Sequence, residues 1–230
     1  MSYKFEQLSD SVFVCTSNEH TFGTDAMLLS KFCNARRKDV VCELGTGCGI
    51  IAEQLCVSYA PKKIYAVDVQ DRAIEQLKMG IEKSGLNNIV PILADLKELS
   101  TAVGKKMAVM IDEQVDLVVC NPPYKKAGDG IISDSDADKI ARHETLCTIY
   151  DICEASARLL KYGGRLCLCN RPERLCDVID AMKKSGIEPK RLCFVSKRSD
   201  TAPWLFLIEG KYGGAPFLNV EPQIYIMEEK

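Results

Sequence analysis

The chain predicts an α/β fold: a mostly parallel, seven-stranded sheet with helices on both faces and an antiparallel last strand. Three observations carry this. From Asp39 onward, short apolar runs alternate with stretches of helical period. A glycine-rich turn, Glu43-Leu44-Gly45-Thr46-Gly47-Cys48-Gly49, leaves the first of these runs and enters a helix. The last two apolar runs have no helix between them, so they should pair antiparallel.

The elements follow in order. Residues 1–38 read as an N-terminal arm of hairpin and helix packed on the core, with a short strand at Val12–Cys15 and a helix that Thr24 or Asp25 can cap. Met27, Leu28 and Phe32 form the apolar side of that helix. Residues 39–230 form the main domain. Its strands are Val40–Leu44, Lys63–Asp68, Ile89–Leu93, Val115–Cys120, Arg165–Asn170, Arg191–Lys197 and Trp204–Gly210. A helix starts at Ile50. Another spans 71–84, with Ile74, Leu77 and Ile81 on one face and Gly85 as its stop. Residues 96–113 read as a partly helical crossover, and further helices span 144–160 and 172–185. The tail from Lys211 packs across the surface without forming a domain. No internal repeat, low-complexity segment or strong linker divides the chain.

Composition sets limits. Of 230 residues 47% are hydrophobic and 27% charged, with a net charge of −2, as in an ordinary soluble protein without a whole-molecule basic field. The polar start lacks a signal-peptide apolar region, and no apolar run is long enough to span a bilayer. The expected location is cytoplasmic, without membrane. Twelve cysteines sit mostly in apolar runs, with no C-x-x-C and only His20 and His143 as histidines. A zinc site wants clustered thiolates or imidazoles, so no metal is expected and the cysteines read as buried reduced thiols.

The glycine loop and three acids suggest a ligand crevice. Gly45 and Gly47 let the main chain turn tightly and approach a ligand, with helix amides facing it. The spacing is G-x-G-x-G, whereas a dinucleotide loop has G-x-G-x-x-G above a pyrophosphate, so the pattern suits a cofactor without phosphate. Glu43 ends the first strand, where an acid can meet an amine or sulfonium. Asp68 ends the second, where a carboxylate can accept both hydroxyls of a ribose. Asp95 follows the third, where it can accept from an adenine amine. Successive strand ends lie along one edge, where α/β sheets bind ligands.

On these residues the chain resembles the class I S-adenosylmethionine-dependent methyltransferases, with a Rossmann-like fold, over residues 39–210. The resemblance implies S-adenosylmethionine as cofactor. It puts Gly45, Thr46, Gly47 and Gly49 around the methionine part, Asp68 and Val69 at the ribose, and Asp95 and Leu96 beside the adenine. Glu43 stands where the family often has Asp, and Asn121 borders the cofactor. Thr24 and Asp25 of the arm are placed to close over it.

The fourth strand ends on Asn121-Pro122-Pro123-Tyr124. A conjugated amine is a poor nucleophile because its lone pair is delocalised. Two acceptors on its hydrogens, the Asn121 side-chain oxygen and the Pro122 carbonyl, would free that lone pair. Consecutive prolines hold the carbonyl rigidly, and Tyr124 can stack on a planar substrate. The motif resembles that of amino-methyltransferases acting on adenine, cytosine or glutamine. With "FGTDAMLLSKF", "NPPYKKAGDG", "ARHE" and "APWLFLIEGKYGG", the chain is similar to the bacterial tRNA-valine adenine-N6 methyltransferase family. That implies tRNA as partner and the adenine 3′ of the anticodon as target.

Lys125 and Lys126 follow the tyrosine, and Arg142 and His143 lie beyond; these are the substrate-contact candidates. Between them a polar segment, residues 129–144, reads as a loop that orders on substrate. A second basic cluster runs from Lys183 to Arg198. Two alternatives stay open. Glutamine-N5 methyltransferases of release factors usually carry a helical domain before the glycine loop, where this chain has only the arm. A silent nucleotide- or RNA-binding module would bind without turnover. The oligomeric state is not legible.

Overall fold

The computed structural model describes residues 3–17, 20–101, 109–122 and 147–227. The arm holds strands β1 (Lys4–Gln7) and β2 (Phe13–Thr16), paired antiparallel, then helix α1 (Thr24–Phe32). The main sheet is built from β3 (Val40–Leu44), β4 (Lys63–Asp68), β5 (Ile89–Leu93), β8 (Val115–Cys120), β9 (Leu160–Asn170), β10 (Ile187–Ser196) and β11 (Leu205–Tyr212). Helices α2 (Ile50–Tyr59) and α3 (Asp71–Ser84) follow β3 and β4. Helices α4 (Ile149–Leu159) and α5 (Leu175–Lys184) flank β9.

The spatial order of the seven long strands is β10-β11-β9-β8-β3-β4-β5. The first crossover runs β3 to β4 to β5, and the chain then returns to the other side of β3 at β8. That reversal between β3 and β8 is the switch point where an open α/β sheet leaves a crevice at its carboxyl edge. Strand β11 is antiparallel to both neighbours, β9 and β10, and is inserted between them. The tail adds β12 (Asn219–Val220) and β13 (Ile224–Tyr225), both parallel to β10.

Strand β3 is buried at all five positions, as a central strand covered on both faces must be. Its side chains alternate. Cys42 and Leu44 join the core under α4 and α5 with Val118, Leu166 and Leu168. Val41 joins the core under α1, α2 and α3 with Val119, Cys167 and Leu207. Helix α3 buries Ala73, Ile74 and Leu77 and ends at Gly85, whose φ of 64° is the left-handed stop that glycine permits. Helix α4 begins with a reciprocal cap, the Thr148 hydroxyl and Asp151 carboxylate each holding the other's main-chain amide. The arm is tied to α3: the Gln76 side-chain amide donates to the carbonyls of Cys15 and His20, and the Phe13 amide donates to the Ser84 hydroxyl.

Several expectations change. Strand β1 is exposed throughout and has no apolar pattern, so its bounds are not legible in the sequence; with β2 it makes a hairpin in the arm. In residues 96–113 the described helix is a single 3-10 turn, Leu96–Glu98. The rest includes β6 (Leu99–Thr101) and β7 (Val109–Ile111), paired parallel. The cap of α1 is Gly23, neither Thr24 nor Asp25. The Asp25 carboxylate folds back so closely that a Cβ on Gly23 would lie 2.7 Å from its Oδ1. The described part of the helix expected over 144–160 starts at Ile149, and the one over 172–185 splits into a 3-10 turn, Pro172–Arg174, and α5. All twelve cysteines are free thiols and nine are buried, as read from the apolar runs. Among the described residues no helix is long and apolar enough to cross a membrane.

Candidate active site

A cavity of about 400 Å³ opens at the carboxyl edge over the switch point. Leu44, Gly45 and Gly47 line it from the end of β3, and Val67, Asp68, Val69 and Gln70 from β4. Ala94, Asp95 and Leu96 line it from the end of β5, Cys120, Asn121 and Pro122 from β8, and Cys147 and Ile152 from the start of α4. The sequence-predicted Gly45, Gly47, Asp68, Val69, Asp95, Leu96, Asn121 and Pro122 therefore share one space. Those first four strand ends converge because β5, β4, β3 and β8 are consecutive neighbours running in one direction.

Main-chain hydrogen bonds shape the loop after β3. The amides of Gly45 and Thr46 both donate to the Val67 carbonyl at 2.9 Å, which locks the loop onto the end of β4. The Gly47 amide donates to Asp68 Oδ2 at 2.9 Å, and the Gln70 amide donates to Oδ1 at 3.0 Å. Each carboxylate oxygen retains a lone-pair site for a ligand hydroxyl. Gly45 and Gly47 have φ of 72° and 54°, and a Cβ on either would meet nothing within 4 Å. The conformation demands glycine, and the space above is an open cradle.

Three expected cofactor residues support the loop from beneath and do not line the cavity. Glu43 lies on the α2 face of β3 by strand alternation, and its Oε2 accepts from the Thr46 hydroxyl at 2.7 Å and the Ala52 amide at 3.1 Å. Burial pushes its pKa up to about 8 against the opposing pull of those two donors, with Asp68 adding a smaller upward push. Through these two hydrogen bonds it braces the loop and the start of α2. Gly49 has φ of 89°, and a Cβ there would lie 2.4 Å from Leu77 Cδ1, so it serves the packing of α2 on α3. Thr46 is buried beside Glu43.

Asp95 caps the 3-10 turn through its Oδ1, which accepts from the Lys97 amide at 2.9 Å, while its Oδ2 lies 3.8 Å from Lys97 Nζ. Thr24 and Asp25 stand at the start of α1, exposed and half-buried, and do not line the cavity. Asn121 is half-buried, and its side-chain oxygen accepts from the Cys169 thiol at 3.1 Å. Pro123, Tyr124, Lys125, Lys126, Arg142 and His143 lie outside the described residues.

Sequence reasoning missed Gln70, Cys147 and Ile152. The Thr148-x-x-Asp151 capping signature that seats Cys147 and Ile152 at the cavity was there to read. The basic cluster from Lys183 to Arg198 does not form one cationic face. Arg191 bonds Glu209 and Glu221 and stacks over Phe32. Lys190 donates to the Ala215 and Pro216 carbonyls. Lys184 pairs with Asp180, and Arg198 with Asp200. Among the described residues no group of three or more His, Cys, Asp and Glu is placed to hold a metal.

The fold and site have known counterparts. The family model described as "Methyltransferase small domain" matches residues 11–184. A protein of Parabacteroides distasonis named tRNA1(Val) (adenine(37)-N6)-methyltransferase is 29% identical over 189 residues, 81% of this chain and 75% of its own length. A protein of the same name from Tolumonas auensis is 27% identical over 188 residues, 81% of this chain and 74% of its own. Among solved structures, a predicted O-methyltransferase from Agrobacterium tumefaciens superposes with a TM-score of 0.66 at 16% identity, covering 88% of this chain and 87% of its own. The tRNA m1G37 methyltransferase of M. jannaschii superposes at 0.61 and 18%, covering 93% of this chain and 57% of its own. The glycine cradle, with an acid held at the ends of β4 and β5, fits a nucleoside bearing an amino-acid tail. The chain belongs to the methyltransferase small domain family, and its cofactor is S-adenosylmethionine.

Proposed function

We propose that the protein methylates an exocyclic adenine amine in RNA, the N6 of an adenine in tRNA next to the anticodon. One observation carries this reading: Asn121 and Pro122 of an Asn-Pro-Pro-Tyr motif line the same cavity as Gly45, Gly47 and Asp68. The names of the two relatives support it. The bound cofactor supplies a sulfonium methyl already activated for transfer. The chain's residues then have to hold an amine in line with it, which is chiefly a task of positioning.

The Asn121 side-chain oxygen and the Pro122 carbonyl accept the two amine hydrogens, and the nitrogen lone pair, no longer held in conjugation, is free to attack. The bound sulfonium would supply the methyl and keep the electron pair of the bond it gives up, and the surplus amine proton would leave to water. Pro122 and Pro123 fix the main chain around the acceptor carbonyl. Tyr124 stacks on the adenine, and Lys125, Lys126, Arg142 and His143 meet the RNA backbone. Asp68 would hold the ribose of the cofactor and Asp95 its adenine amine, with Val69 and Leu96 as apolar walls. This work on tRNA belongs in the cytoplasm.

The test incubates the protein with methyl-labelled S-adenosylmethionine and tRNA from a strain lacking the gene, then digests the tRNA to nucleosides. Labelled N6-methyladenosine is the expected product. Label in a release-factor glutamine and none in tRNA would replace this reading, because the motif also serves amide nitrogens.

A further inference from the structure

We propose that Cys169 is a positioning residue for methyl transfer: its thiol donates to the Asn121 side-chain oxygen and aims that amide at the incoming amine. This rests on the role given to Asn121 above. The thiol sulfur lies 3.1 Å from Asn121 Oδ1 and the cysteine is fully buried. The placement follows from register. Strands β8 and β9 run parallel with Cys120 opposite Leu168, so one step further along the two strands brings Asn121 beside Cys169.

An asparagine amide has two orientations about its last torsion, and they exchange an acceptor for a donor. The orientation with the NH2 group at the substrate would meet the amine hydrogens with hydrogens of its own. A donor fixed on the buried side selects the other orientation. The amide oxygen has two lone pairs, so one can accept from the thiol while the other faces the amine. A thiol suits this position on both counts. It packs as a small apolar group within the core formed by Val119, Cys167 and Leu207. It is also a weak donor, so it orients the oxygen without exhausting its capacity to accept.

The experiment compares wild-type protein with Cys169→Ala and Cys169→Ser, alone and in an Asn121→Asp background. Transfer rate on unmodified tRNA, cofactor Kd, and the Asn121 side-chain amide signals in a nitrogen-labelled NMR spectrum are read together. The signals are assigned by their loss in Asn121→Asp. Cys169→Ala should lower kcat by up to roughly tenfold, the worth of one neutral hydrogen bond, with cofactor Kd unchanged. Cys169→Ser should recover most of the rate. In the Asn121→Asp background the alanine change should cost little, because a carboxylate has no wrong orientation. The Asn121 signals should shift or broaden in Cys169→Ala and return in Cys169→Ser. Unmoved signals and an unchanged rate in Cys169→Ala would overturn the proposal, as would an equal loss in the serine variant. A wild-type protein that binds cofactor but modifies no tRNA would instead overturn the functional reading, and the amide signals would then decide the role of Cys169 by themselves.

Discussion

Over β3 and β4 the carboxyl edge is held in place by main-chain amides: those of Gly45 and Thr46 on the Val67 carbonyl, and that of Gly47 on Asp68. Over β8 and β9 it is held by a side chain, the Cys169 thiol on Asn121. The two ends therefore fail differently. The first depends on φ and on the lack of a Cβ, and many neighbouring side chains could change without moving it. The second depends on which atoms stand at the ends of particular side chains. Cofactor binding needs a cradle of constant shape, and transfer needs an acceptor aimed at one nitrogen.

That contrast can be broken at either end. The largest effect is expected for Asn121→Ala, which should lower kcat by about a hundredfold or more, as removal of an aimed polar group does elsewhere. Calorimetry should find the cofactor Kd within about twofold of wild type, since only one of the contacts around the cavity is lost. A parallel collapse of cofactor affinity would move Asn121 to the binding half. Next is Gly47→Ala. Its φ of 54° costs an L residue about 1–2 kcal/mol, and the new methyl projects into the open cradle. Cofactor Kd should rise by roughly tenfold or more, and the torsional strain should lower stability in urea unfolding by about 1–2 kcal/mol.

Gly49→Ala sharpens the comparison within the loop itself. The methyl would meet Leu77, so the cost should appear as about 2–3 kcal/mol of lost stability in urea unfolding. A loss of affinity with stability intact would return Gly49 to the cofactor.

The smallest effect concerns the buried acids beneath the loop. Both oxygens of Glu53 are buried without a hydrogen-bond partner among the described residues, and burial, with Glu43 nearby, raises its pKa to about 9. The native state then keeps a proton that the unfolded chain releases above its ordinary value of 4.5. Stability from this group is full below that value, falls as the pH rises, and levels off once the native carboxyl ionises near pH 9. Glu53→Gln should flatten that slope and raise Tm at pH 9 by at least roughly 2–4 °C, the worth of about 1 kcal/mol in a chain of this size, while leaving it unchanged at pH 4. An unchanged slope in a thermal scan series would remove Glu53 as its source.

Much of this was legible because periodicity reports burial directly. Val40–Leu44 and Val115–Cys120 read as strands since each is apolar along nearly its whole length, and both lie at the centre of the sheet. Gly45, Gly47, Asp68 and Asp95 were found because strand ends of a parallel sheet share an edge. The bounds of strand β1, Lys-Phe-Glu-Gln, escaped because nothing in its own pattern is buried and only its partner makes it a strand. Arg191 was read as part of a basic surface. Its partners Glu209 and Glu221 lie 18 and 30 residues away in the chain, and only the pairing of β10 with β11 and the tail brings them together.

The sequence by itself determined the alternating architecture, the cofactor loop and the motif at the end of β8, because these depend on local period, on glycine torsions and on residues adjacent in the chain. The tertiary structure alone decided that β11 inserts between β9 and β10. It alone turned Glu43 away from the cavity to brace α2, and it put the thiol of Cys169 on Asn121, 48 residues away. Those outcomes depend on which strands become neighbours and which face each side chain takes, and both are settled by packing over the whole sheet.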